Sequence, residues 1–481
     1  MMMKINVRLN RHTEPFGYAQ DKLSRSVIII LAVFFITTIS FSQNQDSITL
    51  RKIYDFYLTK SNGYKNLEYL STKIGGRLSG SKQAEDAVAW AKKAMYLAGA
   101  DTVIMQPCMV PHWVRGKKEV CKLISEKLKL IVPLNCIALG SSVGTGHKGV
   151  SAKVIEVSSF EELEKLGEAK IKGNIVFYNV FFNQANIKTG TSYGETVKYR
   201  SKGASYAAKY GAIASVVRSM TSVADDEPHT GNMNYDSTIS KTKITSIAIS
   251  YKAADTLHKA LSKDNGLQLY IETYCQKLPD VLSYNVVGQI TGSLKPTEYI
   301  ITGGHLDSWD NGQGAHDDGA GVVQSIDVLA MYKYLGIKPK HSIRAVAFMN
   351  EENGLAGGFA YAKFAKEHYE THIAAIETDA GGYTPRGFNV DTLKGLYNLV
   401  SGFKKLLQPY FIEKIGQEGG GADLIDLEKL GVPCIGFEPD SQRYFDIHHT
   451  AQDTFDKVNK RELELGAAAI GSLLYLIDVY R

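Results

Sequence analysis

Six short stretches in the second half of the chain carry side chains able to hold metal ions: His305-Leu306-Asp307, Asp317-Asp318-Gly319, Glu351-Glu352, Asp379-Ala380-Gly381-Gly382, His448-His449-Thr450 and Asp453. Singly they say little. A histidine at a strand end is usually a satisfied polar residue, Asp-Asp-Gly a turn or helix cap, and Glu-Glu a solvated helix face. Here Glu351-Glu352 closes an apolar strand and is followed by Gly354, a poor place for a solvated helix. Their joint occurrence, in order and at strand ends, suits a pair of zinc ions. Each ion takes imidazole nitrogen or carboxylate oxygen, one carboxylate between two nearby cations offsets their repulsion, and one position stays open for water or substrate.

Such a set needs a scaffold that brings strand ends together. Residues 299–302, 343–349, 373–377 and 434–437 read as buried strands, and helices over 321–334, 359–368 and 461–480 separate or follow them. This alternation predicts an α/β fold with a mostly parallel central sheet covered by helices on both faces. The functional crevice of such a sheet lies outside the carboxyl ends of its strands. Residues 279–481 are assigned to this catalytic unit and 43–139 to its N-terminal part, with a helix at 83–97 opened by the turn Gly75–Ser81 and strand-like alternation over 102–136. Residues 140–278 contain none of the clustered acids. Short strands near 154–157, 173–177 and 214–217 and a helix over 203–210 mark them as an inserted accessory domain.

Residues 1–42 read as an export signal, a basic stretch before an apolar run (27–36) too short to span a bilayer comfortably at ~18–20 residues. An uncleaved anchor is the alternative. Of the 55 basic and 50 acidic residues, Lys4, Arg8, Arg11, Lys22 and Arg25 stand against Glu14 and Asp21 in this segment, so the remainder is nearly neutral. That balance gives no reason to expect nucleic acid or stable membrane association as partners. Five cysteines match no metal knuckle, and their odd number leaves at least one thiol free. A disulfide within the 108–136 cluster stays open.

The stretches GGHLDSWDNGQGAHDDGAG (303–321), NEENGLAGG (350–358), ETDAGG (377–382) and HHTAQDT (448–454), with GGRLSGS (75–81), resemble the zinc aminopeptidase–carboxypeptidase Q family of metallopeptidases, above all its carboxypeptidase Q branch. The insert, with IKGNIVF (171–177), looks like a protease-associated domain. The resemblance implies two Zn2+ ions, His305 and Asp379 on one, Glu352 and His449 on the other, and Asp317 bridging both. It implies a cis Asp317–Asp318 peptide bond, Glu351 as general base toward a metal-bridging hydroxide, and Asp307 holding the His305 ring in its ligating tautomer. His448 competes with His449; the family's Thr after the ligand favours His449. His316 departs from the pattern and is expected to be exposed. The implied activity is hydrolysis of dipeptides and short unblocked peptides by a secreted or periplasmic enzyme, with a homodimer by family resemblance. A plain aminopeptidase is the alternative. An inactive binding protein on this fold would have lost ligands, yet all five ligand positions and the base are present. A second two-zinc peptidase group inserts its extra domain after the Glu-Glu pair, whereas here the insert precedes the first metal histidine. Arg443 and Tyr444, just before His449, are expected to overhang the metals, Arg443 binding a terminal carboxylate and Tyr444 an oxyanion.

Overall fold

The computed structural model describes residues 45–481, of which 52–481 form one compact unit. The export-signal reading of 1–42 lies outside the described residues. Within the unit the chain builds two eight-stranded sheets. Strand β1 (Thr102–Val114) opens the first. The second takes β2 (Val120–Ser125), β3 (Leu130–Pro133), β4 (Cys136–Ala138), β5 (Val150–Val157), β6 (Ile175–Tyr178), β7 (Ala214–Arg218), β8 (Thr245–Ile249) and β9 (Gln268–Glu272). The first sheet then resumes with β10 (Gln276–Ile290), β11 (Lys295–His305), β12 (His341–Phe348), β13 (Thr371–Glu377), β14 (Pro385–Val390), β15 (Lys414–Gly416) and β16 (Cys434–Pro439).

The first sheet runs β1-β10-β12-β11-β13-β16-β14-β15, and β12, β11, β13 and β16 are mutually parallel at its centre. Every residue of β12 is buried, as expected of a strand covered on both faces. Alternation along it separates the two cores. Ala345 and Ala347 pack with helices α1 (Lys82–Leu97) and, further along the chain, Ala320–Leu335. Val346 and Phe348 pack with Tyr361, Ala362 and Ala365 of the helix Ala356–Glu367. Helix α1 follows from its sequence: Ser81 caps it by accepting from Ala84 N, and Ala84, Ala87, Val88, Ala91, Ala94 and Met95 form one buried stripe. In the insert, α2 (Phe160–Ile171), α3 (Thr189–Lys209) and α4 (Tyr251–Leu261) pack on the second sheet. Helices α5 (Ala320–Leu335), α6 (Ala356–Glu367) and α7 (Lys460–Tyr480) belong to the first. Helix α7 is long and apolar enough to cross a membrane, but 78% of that stretch is buried within the fold.

Two expectations change, and the open question of a disulfide closes. The strands β2 to β4, assigned to the catalytic portion, belong to the second sheet, where β2 pairs with β9 and β4 with β8. Alternating polarity marks them as strands without telling which sheet they join. The helix expected over 203–210 runs from Thr189, because its buried face includes Ser192, Thr196 and Tyr199, which an apolar count undervalues. All five cysteines are free thiols.

Candidate metal centre

Register places the site. On β11, Gly303 pairs with Val346 of β12 on one side and with Glu377 of β13 on the other. The three parallel strands therefore end side by side. They carry His305 at the tip of β11, Glu351 and Glu352 just past β12, and Asp379 just past β13. Asp317 enters from the loop between β11 and α5, and His449 follows the short helix Tyr444–Ile447.

The five expected ligands converge. His305 Nε2 lies 3.1 Å from Asp317 Oδ1 and 3.5 Å from Asp379 Oδ1. His449 Nε2 lies 3.3 Å from Asp317 Oδ2 and 3.2 Å from Glu352 Oε2. Each oxygen of one carboxylate thus faces a different imidazole. His448 stacks on His449 at 3.5 Å between ring centroids but approaches only Asp317, at 3.6 Å. His449 alone meets both acids, at a left-handed φ of 63°.

These residues fit zinc on their own chemistry. The donors are imidazole nitrogens and carboxylate oxygens, and Asp317 Oδ2 and Glu352 Oε1 are buried without accepting a hydrogen bond among the described residues. Burial, reinforced by the Asp317 carboxylate, pushes Glu352 up to about 7. Burial likewise holds Glu351 well above the usual range, with Asp379 and Glu352 adding to it. A cation would offset this crowding of acids. Opposing its own burial, the hydrogen bond from His305 and the neighbouring His449 imidazole hold Asp317 well below that range. Against burial, Glu352 and Asp317 push His449 up to about 10. Glu352 is 6% exposed, whereas Glu351 is partly open.

The surrounding residues position this set. Asp307 acts differently from expectation: His305 Nδ1 meets the Asp307 backbone carbonyl at 3.0 Å, and the carboxylate stays 3.8 Å away. Its Oδ1 instead accepts from the backbone N–H of Asn350 (2.7 Å) and Glu351 (3.0 Å), so it fixes the turn that presents Glu351. The Asp317–Asp318 bond is cis, as the resemblance implies. Asp453 accepts from the N–H of His316 (2.8 Å) and Asp317 (3.1 Å). Asp318 accepts from His305 N (3.0 Å) and Gly321 N (2.9 Å). His316 is buried, not exposed: it stacks on Tyr383 at 4.3 Å, and its Nδ1 accepts from Gly382 N at 3.1 Å, bracing the loop after Asp379.

Arg443 does not face the metals. Its side chain is 54% exposed, pairs with Glu462 at 2.9 Å and lies over Tyr383 at 4.8 Å, because the first turn of α7 offers a nearer carboxylate. Tyr444 is buried close to the acids; after burial, the Asp317 and Asp379 carboxylates raise its phenol well above the ordinary value. Its hydroxyl makes no hydrogen bond among the described residues. Sequence reasoning missed Arg77, Ser79, Arg200 and His229. The first two stood inside a quoted motif but had no assigned partner. The last two lie in the insert, where nothing local points to the site.

Residues 285–473 match Peptidase family M28. Carboxypeptidase Q of Mus musculus is 32% identical over 425 residues, 88% of this chain and 87% of that protein. Carboxypeptidase Q of Xenopus laevis is 34% identical over 87% of this chain and 86% of its own. Among solved structures, a peptidase M28 precursor from Shewanella amazonensis superposes with a TM-score of 0.86 at 32% identity, covering 91% of this chain and 97% of that one. A zinc aminopeptidase from Bacillus subtilis shares the fold at a TM-score of 0.61 and 17% identity, over 86% and 94% of the two chains. With its strand-end cluster of histidines and acids and this similarity along most of its length, the chain belongs to peptidase family M28 and is a metallopeptidase.

Proposed function

We propose that the protein is an exported di-zinc exopeptidase that hydrolyses dipeptides and short unblocked peptides, with Glu351 as general base. The observation that carries this is the Asp317 carboxylate, whose two oxygens lie 3.1 and 3.3 Å from two different imidazoles, with Asp379 beside one and Glu352 beside the other. His305, Asp317 and Asp379 would hold one zinc, and Asp317, Glu352 and His449 the other. When bound, zinc supplies Lewis acidity toward the scissile carbonyl and lowers the pKa of a water toward ~7. The chain's own residues do the rest. Glu351, presented by Asp307, takes a proton from the attacking water on its carboxylate and returns it to the leaving amine nitrogen. The Tyr444 hydroxyl is free to donate to the oxyanion that forms on the former carbonyl oxygen. Hydrolysis of short peptides is supported by similarity to proteins named carboxypeptidase Q.

Metal content and turnover separate the roles. Glu351→Gln keeps two zinc ions per chain and loses at least ~10²-fold in kcat on a dipeptide, as expected for removal of a general base. Glu352→Gln binds about one zinc fewer. Retained turnover in Glu351→Gln would remove it as the base.

A further inference from the structure

We propose that Arg200 receives the terminal carboxylate of the substrate, so that the inserted domain sets the requirement for a free carboxyl terminus. This deepens the peptidase reading above and rests on it.

Helix α3 belongs to the insert by sequence but lies against the segment leading to His449. Thr189 Oγ1 donates to the Ser441 carbonyl at 2.8 Å. The Tyr193 ring stacks on Phe445 at 4.8 Å and meets His448 edge-on at 5.2 Å. Two turns along the same face, Arg200 donates from Nη2 to the Tyr193 hydroxyl at 2.7 Å, and its guanidinium sits 5.3 Å from the Tyr193 ring centre. Nη1 is 3.4 Å from His449 Nδ1 and 3.5 Å from the Thr230 carbonyl.

Arg200 is 7% exposed, its Nε has no hydrogen-bond partner, and no carboxylate pairs with it among the described residues. The other buried or largely buried arginines differ. Arg115 pairs with Asp310, Arg218 with Asp255 and Arg344 with Glu370, while Arg77 donates to three carbonyls. A buried cation without an anion is costly and calls for a partner from elsewhere. Metal ligation sharpens the demand. If His449 ligates through Nε2, Nδ1 carries the proton, which the Thr230 carbonyl at 3.3 Å can accept, so Nδ1 cannot accept from Arg200. His229, next in the chain to Thr230, is 4% exposed and leaves both ring nitrogens without a partner among the described residues.

The geometry limits the substrate. A planar carboxylate matches the guanidinium fork. In a dipeptide its carbon lies at most ~3.7 Å from the scissile carbonyl carbon. An anchor for it must therefore stand within one residue of the metal ligands, and Arg200 stands one imidazole ring behind the Glu352 and Asp317 carboxylates. Removal of single C-terminal residues, or cleavage of dipeptides, fits this spacing. An aminopeptidase acting on long chains would have to run its substrate past this cation.

The test compares alanyl-alanine with alanyl-alanine amide, which differ only in the terminal charge. The zinc-loaded wild-type protein should prefer the acid in kcat/KM by ~10²-fold, since unpaired polar partners reject the analogue that lacks the group. Arg200→Ala should abolish that preference through KM for the acid, and Arg200→Lys should restore part of it. Calorimetry in the Glu351→Gln background gives a readout free of turnover, where added Arg200→Ala should remove binding of the acid selectively. A wild-type protein indifferent to the terminal charge, or an Arg200→Ala variant that loses acid and amide equally, would overturn the proposal, and if that variant does not fold, the wild-type preference and the reduced acid preference of Arg200→Lys decide. Absence of any zinc-dependent hydrolysis by the wild-type protein would instead overturn the peptidase reading, while the calorimetry still judges Arg200.

Discussion

Arg77 is wholly buried, and its acceptors are backbone carbonyls of Leu306, Gln313 (3.0 Å) and Gly314 (3.0 Å). Those carbonyls belong to the loop between His305 and Asp317, so one side chain sets the path between two ligands. Its charge also faces Asp453, Asp307, Asp318 and Asp317. Two residues on, Ser79 accepts from Asn350 Nδ2 and donates to Asn353 Oδ1, both at 2.8 Å, bracing the turn that holds Glu351 and Glu352. The motif at 75–81 was legible as a signature, but its purpose was not, because its partners lie more than two hundred residues away. Arg77→Ala should strand three buried carbonyls and destabilise the protein by at least ~3 kcal/mol. Arg77→Lys, able to reach only part of the fork's acceptors, should fold with reduced zinc content. Full zinc occupancy and an unchanged melting temperature in both variants would show that Arg77 does not position the loop.

At the scale of elements, the apolar runs that end in histidine or acid identified β11, β12 and β13 and the ligands at their tips. Gly319 takes an ordinary helical φ of −57°, and what Gly321 requires is space: a Cβ there would lie 1.9 Å from the Thr378 carbonyl. The start of α5 can thus approach the end of β13 near Asp379. Away from the site, β12, α6 and β13 share a chain of hydrogen bonds. Arg344 Nη1 donates to the Tyr361 hydroxyl at 3.1 Å, which has one proton left for His372 Nε2 at 3.1 Å. Burial, with Arg344 nearby, lowers His372 to about 4, so near neutral pH it is uncharged and its Nε2 can accept the Tyr361 proton. Its folded pKa lies below the unfolded value, so its contribution is whole above ~6.5 and falls away as pH drops toward 4, by about 3 kcal/mol. In urea unfolding of chelated protein at pH 7, 5.5 and 4, His372→Gln should lose correspondingly less stability than the wild type. A constant wild-type-to-variant difference across that range would refute this.

For the whole molecule, the two-part layout was legible in outline, as a catalytic α/β unit with an insert before the first metal histidine. Its boundary and its contact with the site were not, since Arg200 and His449 are 249 residues apart and meet only once the two sheets are packed. The metal centre ties together segments spread along the first sheet: His305 and Asp317 come from the end of β11 and the connection after it, the 351–352 pair from that after β12, Asp379 from that after β13 and His449 from beyond β16. Binding there is therefore linked to folding of the entire unit. A ligand that binds only the folded state stabilises it by ~2.7 kcal/mol per site at a hundredfold excess over its Kd. Chelation should accordingly lower the melting temperature by several degrees, and zinc should restore it. The shared carboxylate makes the response specific. If two zinc ions bind as proposed, Asp317→Asn removes a charge common to both and should erase most of the zinc-dependent rise, whereas Glu352→Gln, which would disable one site, should keep part of it. A rise in Asp317→Asn equal to that of the wild type would mean that Asp317 does not bridge, and each ion would then have to be held by a histidine and its own flanking acid alone.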